Sequence, residues 1–283
     1  MAKTETERHV LYGGAIEIDY YPNSHRYKLV KEDGQERKDW LKSPSGIVKY
    51  LDKSAPLMHW ATRCFYEAMV ESMRDGKNFS ADDLLSMLEV AKKAYSERRE
   101  EAANVGTTVH SYAQNHLTLK SVEETEGFAE LNEADQQRVR AGAAAFDSWY
   151  AQLKGESVAS EFLVYSRKEG FTGRADDLVR KHDGLFLLDY KTSKGIYTDQ
   201  IYQVTSYMKA REEEYPEERI DGAILLHLCK EDVTDKEGNV IKKAGEFGEL
   251  VLSRADLVQG YVVFKALKVI ADKDPIMSKL IEK

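Results

Sequence analysis

The chain has few of the residues that build covalent or metal-rich frameworks. Among its 283 residues there are only two cysteines, Cys64 and Cys229, and neither belongs to a CxxC pair. A disulfide framework is therefore not expected, and two cysteines cannot hold a four-cysteine zinc site or iron–sulfur cluster. Five prolines in the whole chain leave no proline-rich linker, and the sequence contains no internal repeat.

Long apolar runs are also missing. No stretch approaches the roughly 18 residues that a membrane-spanning helix needs. The N-terminal segment MAKTETERHV is charged and lacks the apolar core of a signal peptide. We therefore expect a cytoplasmic protein that has no membrane partner.

An excess of positive charge is missing as well. Aspartate and glutamate number 49 against 41 lysines and arginines, which gives a formal net charge of −8. This balance argues against a protein that coats nucleic acid through bulk electrostatics. It leaves room for an enzyme of nucleic acids, because such an enzyme can concentrate basic groups in one groove and use acidic groups to hold metal ions.

The first half of the chain predicts a small β-structure followed by helices. Apolar and polar residues alternate on both sides of Pro22-Asn23-Ser24, which indicates a β-hairpin within residues 8–40. Residues 44–155 have helical periodicity. There, Ser80 begins a capping box and Gly106 is expected to interrupt a helix, and Asn132 and Gly155 mark the start and end of a third helix.

The second half, residues 156–283, predicts an α/β core. Three short strand-like runs are followed by a helix from Thr198 to Glu214, two further strands, and a last helix that Ser253 caps and that ends near Ala271. This order predicts a central mixed β-sheet flanked by helices.

Two of these strands carry acidic residues that a hairpin would bring together. A two-residue turn can lie at either of two positions within residues 182–184. The earlier turn places Asp176 opposite Asp189, and the later turn places it opposite Lys191. Side chains alternate along a strand, so both registers put the three charges on one face. A three-residue loop with a bulge could break this arrangement. An odd-length loop without a compensating bulge would turn Asp176 away from the site, which would then need Asp177 in its place.

This group of charges has a plausible chemistry. Two carboxylates at a sheet edge suit Mg²⁺ or Mn²⁺, which neutralise phosphate charge and lower the pKa of a bound water. A neighbouring lysine can assist that water or stabilise charge that develops on phosphorus. Gly173 would leave space for a backbone or phosphate. The alternative is a surface hairpin with incidental charges, but the apolar run Phe186–Leu188 directly before Asp189 favours a functional site.

Four short motifs, in order, resemble the PD-(D/E)XK nuclease superfamily, in particular its RecB-like branch of phage and recombination exonucleases. They are G-x-x-x-H at Gly106–His110, G-x-x-D at Gly173–Asp176, D-x-K at Asp189–Lys191 and Q-x-x-x-Y at Gln203–Tyr207. Each motif is weak alone, and together they cover about residues 100 to 210. The proline of the family's name is absent before Asp176.

The resemblance implies one nuclease domain over residues 1–283, with a restriction-endonuclease-like core that binds one or two Mg²⁺ or Mn²⁺ ions and no iron–sulfur cluster. The implied metal ligands are His110, Asp176, Asp189 and the backbone carbonyl of Tyr190, with Glu161 as an additional candidate. Lys191 would be the catalytic lysine, with Gln203 and Tyr207 beside it. Residues expected to contact DNA are Arg174, Thr192, Ser193 and Lys194.

The expected function is a DNA exonuclease that hydrolyses phosphodiester bonds of linear DNA. By the same resemblance it would act in phage or bacterial recombination, repair or replication, in a bacterial or phage-infected cell, with a recombination or replication protein as candidate partner. Two alternatives stay open at this point. One is a catalytically retired nuclease fold that binds nucleic acid or protein, and the other is a structure-selective endonuclease.

Overall fold

A computed structural model describes residues 6–51, 54–73, 79–235 and 237–281. The chain divides into two compact units. The sheet unit comprises Met1–Leu51 and Ala144–Lys283, and the helical unit comprises Asp52–Ala143. The single nuclease domain stays a prediction.

The helices and strands follow each other in the general order that the sequence predicts. The helices are α1 Pro44–Ile47, α2 Ser54–Ser72, α3 Ala81–Asn115, α4 Glu133–Tyr150, α5 Thr198–Glu214 and α6 Arg254–Ile281. The strands are β1 Glu7–Leu11, β2 Ile16–Tyr21, β3 Arg26–Glu32, β4 Gln35–Leu41, β5 Gly155–Ser166, β6 Phe171–Lys181, β7 Gly184–Lys191, β8 Gly222–Leu228, β9 Val233–Thr234, β10 Val240–Lys242 and β11 Phe247–Ser253.

The predicted helix caps are confirmed. The Ser80 hydroxyl accepts a hydrogen bond from the backbone N–H of Asp83 at 3.2 Å, and the Asp83 carboxylate accepts one from the N–H of Ser80 at 2.8 Å. The Asn132 side chain accepts from the N–H of Asp135 at 2.9 Å, and Ser253 caps α6 in the same way. These contacts satisfy N–H groups that the first turn of a helix leaves unpaired.

Three predicted helix boundaries are wrong. The third predicted helix, α4, ends at Tyr150, and Gly155 instead begins β5. Gly106 does not interrupt α3, which runs unbroken from Ala81 to Asn115. A glycine costs about 1 kcal/mol in a helix interior, but Gly106 lies on a buried face next to the fully buried Val105 and Val109, whose packing offsets that cost. The last helix continues past Ala271, and Pro275 lies within it.

The central sheet has the strand order β11-β8-β7-β6-β5. Strands β7 and β8 are parallel and are connected through α5, whereas the other neighbours are antiparallel. Leu185 and Leu187 of β7 lie in a core that also contains side chains of α5 and α6. On the opposite face, Tyr190 contacts Phe146 of α4 edge-on, with ring centroids 5.7 Å apart. A central mixed sheet flanked by helices is therefore confirmed.

The predicted N-terminal hairpin is the middle of a larger sheet. Strands β2 and β3 pair around Pro22–Ser24 as expected, and β1 and β4 add one antiparallel strand at each side. Both added strands are polar and largely exposed, so they lack the alternation that marks a half-buried strand. The inner face of this sheet packs Ile16 and Ile18 against Leu163 of β5.

The helical unit consists of α2, α3 and most of α4. Trp60 of α2 contacts Tyr95 of α3 edge-on at 4.9 Å between ring centroids. Glu67 of α2 pairs with Arg98 of α3 at 2.5 Å. No helix in the described part of the chain is both long and apolar enough to cross a membrane.

Replacement of Phe264 on α6 by alanine is expected to destabilise the protein by about 3–5 kcal/mol, because it empties a fully buried site. Phe264 is 0 % exposed, and its ring contacts that of Phe171 at 5.1 Å. Urea unfolding followed by circular dichroism measures the loss. Val262 lies on the same helix and is 57 % exposed, so Val262→Ala should change the free energy of unfolding by less than about 0.5 kcal/mol. Equal effects of the two substitutions would contradict the packing.

Candidate functional site

The turn between β6 and β7 sets the geometry of the acidic site. Lys181 pairs with Gly184, so the loop consists of the two residues between them, and Asp177 pairs with Leu188 farther along the hairpin. Continued by one residue, this register places Asp176 opposite Asp189. The earlier of the two predicted turns is therefore the one that forms.

The structure brings Asp176, Asp189 and Lys191 together. The Lys191 ammonium lies 2.5 Å from the Asp189 carboxylate, and these side chains are only 13 % and 4 % exposed. The backbone N–H of Tyr190 donates a hydrogen bond of 2.7 Å to Asp176. Removing an ion pair from water costs several kcal/mol per ion unless its geometry compensates. The alternative of a solvated hairpin with incidental charges is therefore wrong.

Electrostatics within this group favour an added positive charge. Burial alone would lower the pKa of Lys191, but Asp189 and Asp176 outweigh burial and raise the pKa above its ordinary value. Burial raises the pKa of Asp176, and Lys191 and the N–H of Tyr190 offset this only in part. Lys191 is thus an ammonium group at neutral pH, and the ionised form of Asp176 would gain from a further cation.

Asp177, the neighbour of Asp176, has a different environment. Its carboxylate accepts hydrogen bonds from the Ser157 hydroxyl at 2.7 Å and from the Tyr190 hydroxyl at 3.5 Å. These partners hold β5, β6 and β7 together on the side of the sheet away from Lys191. Asp177 is a buried structural carboxylate and the loop has two residues, so the odd-length-loop alternative that brought Asp177 to the site is wrong.

A cleft of about 300 Å³ opens beside Asp176. Its lining residues are Tyr20, His25, Tyr27, Ser43, Ser45, Glu161, Gly173, Arg174, Asp176, Gln203 and Tyr207. Gln203 and Tyr207 lie one turn apart on α5, and the Gln203 amide donates to the Tyr207 hydroxyl at 2.7 Å. Burial, and after it the charge of Asp189, raises the pKa of Tyr207, which therefore stays a neutral phenol. The residues of the Q-x-x-x-Y motif thus border the same cleft as Asp176.

The reason for glycine at position 173 differs from the expected one. A Cβ there would lie 2.8 Å from Cδ of Pro44 and 3.0 Å from Cε1 of Tyr207. The space above Gly173 is filled by these two side chains, so the expectation that it admits a backbone or phosphate is wrong. Gly173 instead permits α1 and α5 to pack closely on β6.

Arg174 and Glu161 form a charged group at the edge of the cleft. The Arg174 guanidinium lies 2.6 Å from Glu7 and 3.5 Å from Glu161, and it stacks over the Tyr20 ring at 4.6 Å. Glu161 has a φ of +48° within β5, a conformation that only a few per cent of non-glycine residues adopt. DNA would therefore have to compete with two carboxylates for Arg174, and its predicted DNA contact stays a prediction.

The segment after Lys191 leads into α5. The Ser193 hydroxyl donates to the Gly195 carbonyl at 2.7 Å and accepts from the Gln200 amide at 3.1 Å, so it stabilises the loop. Thr192 is half-buried and Lys194 is exposed. Of these three residues, Lys194 has the placement best suited to a phosphate contact.

His110 lies on α3 in the helical unit and is half-buried. Its predicted role as a ligand at the Asp176–Asp189 site stays a prediction, as does that of the Tyr190 carbonyl.

Some residues of the site region were not identified from the sequence. Asp199, in the first turn of α5, helps to raise the pKa of Lys191. Tyr20, Tyr27 and Ser43 line the cleft although they lie more than 100 residues before Asp176 in the chain. Only Asp199 carried a usable signal, since it is an acidic residue at the start of the helix that follows the D-x-K motif.

The donor set suits a hard divalent cation that keeps part of its water shell. Magnesium is commonly bound through one or two carboxylates plus water, and Asp176 and Asp189 supply two carboxylates. Within residues 6–51, 54–73, 79–235 and 237–281, no group of three or more His, Cys, Asp or Glu side chains is arranged to hold a metal. The residues fit a partly hydrated ion, and they do not form a complete protein cage.

Comparison with known proteins finds matches among solved structures only. No protein-family model matches the chain, and no curated protein matches it. Among the solved structures that match is the crystal structure of LHK-Exo in complex with dAMP. The similarity has a TM-score of 0.30 and 14 % sequence identity, and it covers 64 % of this chain and 96 % of that chain.

Replacement of Gly173 by alanine is expected to destabilise the sheet unit by about 1–3 kcal/mol, because the added methyl group overlaps Pro44 and Tyr207. Urea unfolding gives the value. A Cβ at Gly195 would meet no described atom within 4 Å, so Gly195→Ala is the matched control and should be neutral. An unchanged unfolding midpoint for Gly173→Ala would show that the close packing is absent.

Proposed function

We propose that the protein is a Mg²⁺- or Mn²⁺-dependent DNA exonuclease that hydrolyses phosphodiester bonds on a restriction-endonuclease-like core. The observation that carries the proposal is the buried Lys191–Asp189 ion pair with Asp176 opposite it, beside a cleft. Charged groups that are largely withdrawn from water and have perturbed pKa values are typical of functional sites.

In this proposal Asp176 and Asp189 hold the metal, with His110, the Tyr190 carbonyl and Glu161 as further candidate ligands. When bound, the metal would neutralise phosphate charge and activate a water. Asp189 also positions the Lys191 ammonium, which would stabilise the phosphate of a substrate bound at Asp176. An interior ammonium stabilises developing negative charge more strongly than one in water, because the local dielectric is low.

Gln203 and Tyr207 would orient the substrate in this mechanism. Their hydrogen bond fixes both side chains on the cleft wall formed by α5. The Tyr207 hydroxyl stays protonated, so it can donate to a phosphate oxygen. Linear DNA is the proposed substrate, in recombination, repair or replication, with a partner protein from one of those processes.

A second candidate function is a nucleic-acid or protein binding module on a retired nuclease fold. The Asp189 carboxylate is already engaged by the Lys191 ammonium at 2.5 Å, and this observation favours the second candidate. Calorimetric titration with Mn²⁺ separates the two. The nuclease requires a binding heat that Asp189→Asn abolishes, whereas a retired site gives no such heat.

Asp176→Asn is expected to reduce hydrolysis of linear DNA by at least about 100-fold, the scale on which loss of a positioned charged group acts in catalysis. The rate is measured with end-labelled DNA and Mg²⁺ or Mn²⁺. Asp177→Asn is the control, since this adjacent carboxylate faces Ser157 and Tyr190 on the other side of the sheet. It should lower stability but leave the rate per folded molecule within a few-fold of wild type. Equal rates for wild type and Asp176→Asn would refute the assignment.

Removal of divalent metal with EDTA is expected to stop hydrolysis, and added Mn²⁺ or Mg²⁺ should restore it, because the two carboxylates need a cation to engage phosphate. The substrates are linear and circular single-stranded DNA of equal length. Degradation of the linear form alone supports an exonuclease. Cleavage of the circle at a similar rate would instead identify the endonuclease alternative.

A further inference from the structure

An exposed group of side chains lies on the outer face of the N-terminal sheet. We call it the Trp40 cluster, and its members are Tyr21, Arg26, Lys28 and Trp40. Tyr21 of β2 lies opposite Arg26 of β3, and Lys28 of β3 lies opposite Trp40 of β4. The inner face of the same strands is buried in the core. The cluster is therefore a separate surface from the cleft at Asp176.

The cluster combines two cations with exposed aromatic rings. The Arg26 guanidinium carbon lies 3.8 Å from the centre of the Trp40 ring, and the Lys28 ammonium lies 5.8 Å from it. The Tyr21 ring packs beside Trp40 at 5.4 Å between centroids. Trp40 is nevertheless 49 % exposed. A guanidinium that stacks on an aromatic ring is held in place while its N–H edges stay directed outward, which is the geometry that binds phosphate.

Within the described residues, the cations of the cluster form no ion pair. The Asp19 carboxylate lies opposite Lys28 in the ladder, but it pairs with Arg8. Several other cations of this sheet are paired, since Glu17 lies 2.7 Å from Arg8 and 3.0 Å from Lys31. The described part of the chain places no carboxylate within ion-pairing distance of Arg26 or Lys28, whose charged groups lie over the Trp40 ring. In a chain of net charge −8, this surface is a local exception suited to an anionic polymer.

We propose that the Trp40 cluster binds a single-stranded segment of DNA. Arg26 and Lys28 contact consecutive phosphates, and an unpaired base stacks on the exposed part of Trp40. Aromatic stacking beside a basic track is the usual means of binding single strands without reading their sequence. A base within a duplex has both faces covered by its neighbours, so the exposed ring selects unpaired DNA. The choice of DNA as the polymer rests on the proposed function.

Binding is measured by fluorescence anisotropy with the full chain in EDTA, which prevents hydrolysis. The probe is a labelled oligothymidylate of about 20 nucleotides, longer than a single-strand site of this kind. Arg26→Gln/Lys28→Gln should weaken binding about tenfold and reduce the slope of log K against log salt by about 1.4, because two phosphate contacts are lost. Lys31→Gln/Arg37→Gln removes the same charge from paired cations of the same sheet and should bind nearly as wild type.

The stacking contact is tested with two substitutions of Trp40. Trp40→Ala should weaken binding about tenfold, whereas Trp40→Phe, which keeps an aromatic face, should lose much less. Circular dichroism verifies that both variants are folded. The proposal is overturned if Arg26→Gln/Lys28→Gln binds as tightly as Lys31→Gln/Arg37→Gln, if Trp40→Ala and Trp40→Phe bind equally, or if duplex DNA binds more tightly than the single strand.

Hydrolysis of end-labelled DNA by the same variants separates this proposal from the proposed function. If the cluster substitutions weaken DNA binding but the wild-type protein does not hydrolyse DNA, the result supports the Trp40 cluster and counts against the nuclease. If the wild-type protein hydrolyses DNA and the cluster substitutions leave DNA binding unchanged, the result supports the nuclease and refutes the proposed role of the Trp40 cluster.

Discussion

The ion pair between Lys191 and Asp189 is the interaction on which the site depends. Each charge would be costly alone in the interior, and together they are tolerated because the pair is close and Asp176 lies opposite. The three groups are coupled, since Lys191 offsets the burial of Asp176, and both carboxylates raise the pKa of Lys191. The end of β7 therefore carries one ammonium group and two carboxyl groups whose pKa values depend on one another.

The two-residue turn between Lys181 and Gly184 determines which carboxylate takes part. Because side chains alternate along a strand, adjacent Asp176 and Asp177 reach opposite environments. Asp176 accepts the N–H of Tyr190, while Asp177 accepts the Ser157 hydroxyl on the structural side. One short turn thus separates a candidate ligand from a buried hydrogen-bond acceptor, although the two residues are chemically identical and adjacent.

Local features of this fold were predictable from the sequence, and features that depend on distant packing were not. The caps at Ser80 and Asn132, helix α5 and the acidic hairpin depend on residues a few positions apart, and the structure contains all of them. The reason for glycine at position 173 depends instead on Pro44, which lies far away in the chain. Likewise, α3 continues through Gly106 because this part of the helix is buried, and the low helix propensity of glycine takes no account of burial.

Strand β4 shows why the N-terminal sheet was only half predicted. Its sequence QERKDWL has no apolar alternation, because six of its seven residues are exposed. Strand prediction relies on the alternation of apolar and polar residues that a buried face produces. A strand whose backbone is paired but whose side chains are exposed to solvent therefore lacks this pattern. The same exposure places Trp40 at the surface beside Arg26. The exposure of the β4 side chains thus has two consequences. It makes the strand difficult to predict from the sequence, and it leaves the outer face of the strand accessible to a ligand.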